Sequence, residues 1–151
     1  MKVAVGSDHA GFELKAALVE ELRARGAEVT DCGTAGTDSC DYPDFAAPVA
    51  ELVASGRAER GVLVCGSGQG MCMTANRFPG VRAAMVHDGF TARITRQHND
   101  ANVICMGARV LTEAEARRLL GLWLETPFEG GRHLRRVEKI DTVGPAGPKG
   151  G

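Results

Sequence analysis

The chain has 151 residues, the size of one ordinary domain, of which 44% are hydrophobic and 25% charged. Its 18 Lys and Arg nearly balance 19 Asp and Glu, so the net charge of -1 gives no reason to expect nucleic acid or an anionic membrane as a partner. No apolar run approaches the roughly 20 residues that span a bilayer, no signal-peptide pattern follows Met1, and the five cysteines form no C-x-x-C pair. We therefore expect a cytoplasmic protein with free thiols, no structural zinc and no disulfide framework.

Short apolar runs alternate with helical periodicity along most of the chain. In chain order the prediction is strand 2–6, a helix marked by Leu14, Leu18 and Leu22, strand 28–32, a helix marked by Phe45, Val49, Leu52 and Val53, strand 61–65, helix 71–78, strand 82–86, helix 89–98 and strand 102–106. Strands that are apolar throughout and each followed by a helix require right-handed crossovers. The fold class is therefore α/β, with a doubly wound five-stranded parallel sheet that is covered on both faces.

Two further helices follow the predicted sheet. Thr112 and Glu115 have the spacing of a capping box, which predicts a helix through Trp123, and residues 129–141 are predicted as a final basic helix. The Gly- and Pro-rich residues 144–151 cannot build a core. We expect one domain over 1–143, ending in a C-terminal helix, and a disordered tail over 144–151.

The loop after the third strand is the strongest candidate for chemistry. Cys65 is followed by Gly66, Ser67, Gly68, Gln69 and Gly70, so successive backbone N–H groups can converge on an anion, and their positive field favours a thiolate at Cys65. A cysteine that ends a strand is more often a small buried hydrophobe, but this loop favours a base or nucleophile. The glycine spacing fits a dinucleotide site poorly, and the Gly-Lys-Ser/Thr sequence of a P-loop is absent. Met71 stands where a cysteine phosphatase needs arginine.

Polar residues at three other positions have both a functional and a structural interpretation. Asp8 and His9 suit a sugar hydroxyl and a phosphate, although Asp8 can equally cap the next helix. His98, Asn99 and Asp100 form a polar cluster at a predicted helix end, where the helix dipole alone favours an imidazole. Arg132 and Arg136 share one helix face and can grip a phosphate, or they form a solvated basic face with Arg135 and Lys139.

Seven sequence blocks together resemble the ribose-5-phosphate isomerase B branch of the ribose/galactose isomerases. They are GSDHAGFELK from Gly6, DYP from Asp41, CGSGQG from Cys65, ANRFPGVRA from Ala75, RQHNDANV from Arg96, GARV from Gly107 and GGRHLRRV from Gly130. The resemblance implies a Rossmann-like sheet and a cofactor-free, metal-free enzyme of the pentose phosphate pathway that interconverts ribose 5-phosphate and ribulose 5-phosphate. It further implies a homodimer, or a tetramer of paired dimers, with active sites shared between chains.

The resemblance also implies roles for individual residues. Cys65 would take the C2 proton, Ser67 and the amides of Gly66, Gly68, Gln69 and Gly70 would hold the enediolate, and His98 would assist ring opening. Asp8, Tyr42 and Asn99 would contact sugar oxygens, and His9, Arg109, Arg132 and Arg136 would hold the phosphate. His98, Asn99 and Arg109 would come from the partner of the chain that supplies Cys65.

Two points of the resemblance leave alternatives open. Some members carry a glutamate base at the position of Met71, so this chain resembles the branch with a thiol base, and Cys72 is interpreted as packing. The substrate can also be a six-carbon phosphate such as allose 6-phosphate or galactose 6-phosphate. A non-catalytic sugar-phosphate sensor is the third hypothesis, although binding alone needs neither Cys65 nor His98.

Overall fold

A computed structural model describes residues 1–144 as a five-stranded sheet with six helices. The strands are β1 (Lys2–Ser7), β2 (Glu28–Asp31), β3 (Arg60–Cys65), β4 (Ala83–Met85) and β5 (Val103–Gly107). The helices are α1 (Phe12–Ala24), α2 (Tyr42–Ala54), α3 (Gln69–Ala75), α4 (Gly89–Gln97), α5 (Glu113–Glu125) and α6 (Arg132–Thr142). Apart from Gly144, the predicted tail lies outside the described residues.

All neighbouring strands run parallel, in the order β2-β1-β3-β5-β4. The predicted α/β class and the Rossmann-like, doubly wound sheet are therefore confirmed. The chain moves outward from β1 to β2 and then returns to place β3 on the other side of β1. The order thus reverses between β1 and β3, and in open parallel sheets ligands bind outside the carboxyl ends of strands at such a point.

Apolar side chains of alternating direction give the sheet a core on each face. Val62 and Val64 of β3 belong to the core under α1 and α5, where Trp123 is fully buried. Leu63 and Cys65 belong to the core on the opposite face, which includes residues of α2 and α3. The alternation along β3 therefore places the Cys65 side chain on the α2 and α3 face of the sheet.

Two helices differ from their predicted bounds by three residues at one end. The third helix, predicted over 71–78, runs over Gln69–Ala75. The capping box of α5 is present, since Thr112 N donates to Glu115 at 2.8 Å and Glu115 N donates to Thr112 at 3.2 Å. The last helix begins at Arg132 rather than at Glu129, because Gly130 and Gly131 have φ values of 64° and 55°. Left-handed residues of this kind cannot continue a right-handed helix.

Among residues 1–144, no helix is long and apolar enough to cross a membrane.

Candidate active site

The carboxyl ends of β1 and β3 bring the first and third loops together. Ser7 pairs with Val64 in the sheet register, and Asp8 N donates to the Val64 carbonyl oxygen at 3.2 Å. Cys65 is the next residue of β3, so Asp8 and Cys65 begin neighbouring loops at the point where the strand order reverses. Two loops that were predicted separately thus form one edge of a site.

The loop after Cys65 directs a backbone donor at the sulfur. Gly68 N donates to Cys65 Sγ at 3.1 Å, and Gln69 N donates to Ser67 Oγ at 3.3 Å. Cys65 itself is only 4% exposed. The Gly68 N–H group is aimed directly at the sulfur. Cys65 is therefore a buried thiol at the start of the glycine loop.

Gly68 makes this arrangement possible because no other residue type fits its position. Its φ is +82°, and a Cβ there would lie 2.8 Å from Met85 Cε and 3.0 Å from the carbonyl carbon of Met106. The left-handed conformation and the close backbone approach both require glycine. The Gly68 N–H can point at Cys65 only if this turn is kept.

We expect the Gly68→Ala variant to lose about 1–3 kcal/mol of unfolding free energy, the usual cost of a strained backbone position. Urea denaturation measures this loss. The matched control is Gly66→Ala, since a Cβ at Gly66 meets first the mobile guanidinium of Arg109, at 3.3 Å. Equal stability of the Gly68→Ala variant and the parent protein would contradict the importance of the turn.

Tyr42 and Arg109 flank the glycine loop. A Cβ at Gly70 would lie 2.5 Å from the Tyr42 ring, so the ring covers this glycine. The Arg109 side chain lies against Gly66, and its backbone N–H donates to the Gly66 carbonyl oxygen at 3.0 Å. This differs from the expectation that Arg109 belongs with the partner's half of the site. Because β5 pairs with β3, Arg109, two residues after the end of β5, lies at the loop of its own chain.

Asp8 and His9 are both fixed by backbone donors. Asp8 is 7% exposed, and its Oδ1 accepts a hydrogen bond from Gly11 N at 3.1 Å. Because the N-cap of α1 is Gly11, Asp8 shapes the turn before the helix rather than capping the helix directly. His9 Nδ1 accepts from Cys40 N at 3.2 Å, which leaves Nε2 to carry the proton of a neutral ring. His9 can therefore donate to an anion through Nε2.

A second group of predicted residues lines a separate cavity of about 220 Å³. Its lining consists of His98, Asn99, Arg132, His133, Arg136, Val137 and Ile140. Arg132 and Arg136 share one face of α6, as their spacing predicted, and Arg135 is not part of the lining. Two guanidinium groups beside an imidazole form a site suited to an anion.

Sequence reasoning did not single out His133 and Glu129, which contact His98. The His98 and His133 rings stack with centroids 4.0 Å apart and planes 15° from parallel. Glu129 Oε2 lies 3.8 Å from His98 Nε2 and 3.5 Å from His133 Nε2. The i, i+4 spacing of Glu129 and His133 could have suggested their own contact, but nothing in the sequence places them beside His98.

His98, Glu129 and His133 also form a cluster that could hold a metal ion. Within residues 1–144, one ligand atom of each side chain lies within 4.8 Å of the other two. Two histidines and a glutamate form a donor set known from zinc sites. However, rings only 15° from parallel direct their Nε2 lone pairs side by side rather than at one point. The observed arrangement therefore fits imidazoles that share a carboxylate better than it fits ligands of one ion.

The residues around Cys65 and the residues around His98 lie at opposite ends of the parallel strands, called here the carboxyl edge and the amino edge of the sheet. Cys65 is at the carboxyl edge, whereas His98 follows α4, which runs back toward the amino edge as crossover helices do. At that edge Gly61 N donates to the Asn102 carbonyl oxygen at 2.9 Å. Gly61 and Cys65 are four strand residues apart, about 13 Å. One chain therefore does not bring His98 to its own Cys65.

An ion-pair network holds the turn that carries His98 and Asn99. Asp100 has a left-handed φ of 47°, and its carboxylate accepts from Arg96 at 2.8 Å and from Arg82 at 3.3 Å. Arg96 is 5% exposed and also donates to the Ala101 carbonyl oxygen at 2.7 Å. Arg82 reaches Asp141 of α6 at 3.2 Å. The network ties the turn after α4 to α6 through Arg82, the residue before β4.

Met71 and Cys72 agree with their sequence interpretation. Met71 is fully buried in the core. Cys72 is half-buried on α3, and its thiol donates a hydrogen bond to the Ala83 carbonyl oxygen at 3.4 Å. No carboxylate is therefore present at the Met71 position, and Cys72 packs between α3 and β4.

Known proteins resemble this chain over most of its length. The model of the ribose/galactose isomerase family matches residues 3–140. The chain is 44% identical over 142 residues to ribose-5-phosphate isomerase B of Escherichia coli, covering 94% of this chain and 95% of the relative. It is 40% identical over 141 residues to a D-erythrulose-4-phosphate isomerase of Pectobacterium atrosepticum, with 93% of each chain covered. The solved structure of Clostridium thermocellum ribose-5-phosphate isomerase B superposes with a TM-score of 0.92 at 47% identity, covering 93% of this chain and 95% of that one.

Proposed function

This chain belongs to the ribose/galactose isomerase family, whose model spans residues 3–140, and is an aldose-ketose isomerase; we propose that it interconverts D-ribose 5-phosphate and D-ribulose 5-phosphate with Cys65 as the base. One observation carries the assignment of the base: Gly68 N–H donates to Cys65 Sγ at 3.1 Å, at the reversal point of the sheet. A thiolate held by a backbone donor can accept a proton from carbon without a metal or cofactor.

The proposed reaction moves one proton between neighbouring carbons. The Cys65 thiolate takes the proton from C2 of the open aldose, and the C–H electron pair forms the C1–C2 double bond of an enediolate. The negative charge then lies on O1, where the amides of the glycine loop and Ser67 can stabilise it. After a proton passes from O2 to O1, the Cys65 thiol returns its proton to C1, which yields the ketose and restores the thiolate.

The remaining residues are proposed to hold the ends of the substrate. Asp8, Tyr42 and Asn99 contact sugar hydroxyls, and His98 opens the furanose ring. His9, Arg109, Arg132 and Arg136 hold the phosphate dianion through charge-assisted hydrogen bonds. A phosphate held at the non-reacting end supplies binding energy that fixes C1 and C2 against the sulfur.

A complete site is proposed to combine two chains in an isologous dimer. The support is the separation of Cys65 from His98 across the sheet, about 13 Å along β3 alone. In an isologous pair the carboxyl edge of each chain can meet the amino edge of its partner. Each of the two sites then takes Cys65 from one chain and His98 from the other.

The phosphate assignment predicts that Arg132→Ala or Arg136→Ala weakens binding of an acyclic four-carbon phosphorylated hydroxamate, a mimic of the enediolate. We expect an increase in Kd of about 10- to 100-fold, the cost of a lost charged hydrogen bond. Titration calorimetry measures it. Arg135→Ala is the control, since Arg135 is exposed and does not line the cavity. Unchanged affinity in both variants would show that this helix face is only solvated.

A turnover assay across five- and six-carbon aldose phosphates tests the proposed function. Ribose 5-phosphate is expected to give the highest kcat/KM. A higher value for allose 6-phosphate or galactose 6-phosphate would transfer the assignment to a six-carbon substrate. Binding of these sugars without turnover of any would instead identify a sensor.

A further inference from the structure

Two residues outside the proposed roles contact the imidazole that is proposed to open the sugar ring. His133 stacks on His98 at 4.0 Å and is itself 6% exposed, whereas the His98 side chain is 35% exposed. The inner ring is thus held by the protein, while the outer ring faces the cavity. A buried aromatic face of this kind restricts the planes that a more exposed ring can adopt.

Glu129 lies beside the Nε2 atoms of both stacked rings. Its backbone N–H donates to the Gln97 carbonyl oxygen at 3.1 Å, which fixes the residue beside the end of α4. Its Oε2 then lies within ion-pair distance of both Nε2 atoms, at 3.8 Å for His98 and 3.5 Å for His133. The stack limits the planes that the His98 ring can adopt, and the carboxylate lies on the side of its Nε2.

The charges around the stack explain why a carboxylate is needed there. Arg132 and Arg136 of α6 line the same cavity, so two positive charges lie beside the stacked rings. Burial, followed by the charges of His98 and Arg132, lowers the pKa of His133, and Glu129 opposes this shift. His133 is therefore mainly a neutral stacking partner at neutral pH, and Glu129 supplies the negative charge that offsets the arginines.

We propose that His133 and Glu129 are positioning residues for His98, which fix the plane and the Nε2 direction of the imidazole that opens the furanose ring. The inference rests on the proposed function, because ring opening matters only for a sugar that cyclises. Opening removes a proton from the anomeric hydroxyl and delivers one to the ring oxygen as the C1–O4 bond breaks. Both transfers depend on the direction of the imidazole nitrogen, whereas binding an acyclic enediolate mimic does not.

The test compares turnover of ribose 5-phosphate with affinity for the phosphorylated hydroxamate in three variants. Glu129→Gln and His133→Ala are expected to lower kcat/KM at least about 10-fold, the typical cost of misplacing a proton-transfer group. Their Kd for the acyclic mimic is expected to stay within about twofold of the parent value. His133→Phe keeps an aromatic face for His98 and should recover most of the activity that His133→Ala loses.

Glu138→Gln is the matched control, since Glu138 is exposed on α6 outside the cavity lining. Glu129→Gln is nearly isosteric and keeps the backbone bond to Gln97, so it preserves a folded protein for the test. A parallel loss of activity and mimic affinity would overturn the proposal, because the residues would then only shape the phosphate cavity. Full activity of both the Glu129→Gln and the His133→Ala variants would also overturn the proposal. An inactive parent protein would instead refute the proposed function itself.

Discussion

The Cys65→Ala variant is expected to lose about 1,000-fold or more of kcat for ribose 5-phosphate while keeping the fold. General-base catalysis commonly contributes 10²–10⁴-fold, and no second base is proposed for the C2 proton. Cys65 is 4% exposed, and its replacement removes one sulfur atom next to the glycine loop. The stability cost should therefore be about 1–2 kcal/mol, which leaves the protein folded at 25 °C. Steady-state kinetics and circular dichroism measure the two effects separately.

Cys72→Ala is the matched control for this prediction. Cys72 is another thiol on the same face of the sheet, but its Sγ is near the Ala83 carbonyl oxygen rather than a glycine-loop amide. Its removal should leave kcat within about threefold of the parent value, as expected of a packing residue. A Cys65→Ala variant that keeps nearly all of its kcat would show that another group removes the proton.

Mixing two inactive variants is expected to restore about a quarter of the parent activity. Cys65→Ala and His98→Asn would be dissociated together and allowed to reassociate. Random pairing makes half of the dimers mixed, and in each mixed dimer one shared site carries both substitutions while the other carries neither. The expectation follows from the position of Cys65 at the carboxyl edge and of His98 at the end of α4, toward the amino edge.

Each variant alone, taken through the same cycle, is the control and should stay inactive. Differently tagged chains verify that mixed dimers have formed. If such dimers show no activity, each site is contained in one chain, and the shared-site proposal is wrong. This result would not affect the proposal that Cys65 is the base, because the kinetics of the Cys65→Ala variant test that proposal separately.

Local patterns were sufficient to predict the sheet, the crossover helices and the glycine loop. Apolar periodicity and capping signals act over a few residues, so they identified β3 and the capping box of α5 directly. The start of α6 was misplaced because Glu129 continues a helical pattern that the left-handed Gly130 and Gly131 interrupt. Helix ends depend on backbone angles that composition alone specifies weakly.

Contacts between distant segments were beyond the reach of the sequence. Arg109 lies against the glycine loop only because β5 is inserted between β3 and β4. Likewise, His133 meets His98 because α6 packs beside the end of α4, with Arg82 and Asp141 joining β4 to α6. The order of strands and the docking of the last helix are tertiary properties, so the sequence could suggest the residue types of the site but not their grouping.

The central claim is most directly tested by following ribose 5-phosphate with the parent enzyme in deuterium oxide by NMR. Proton transfer through the Cys65 thiol should form ribulose 5-phosphate and introduce solvent deuterium at C1 of the ketose, because a thiol proton exchanges with solvent between the two steps. Saturable binding of ribose 5-phosphate with no ribulose 5-phosphate formed, and no deuterium on carbon, would contradict the account.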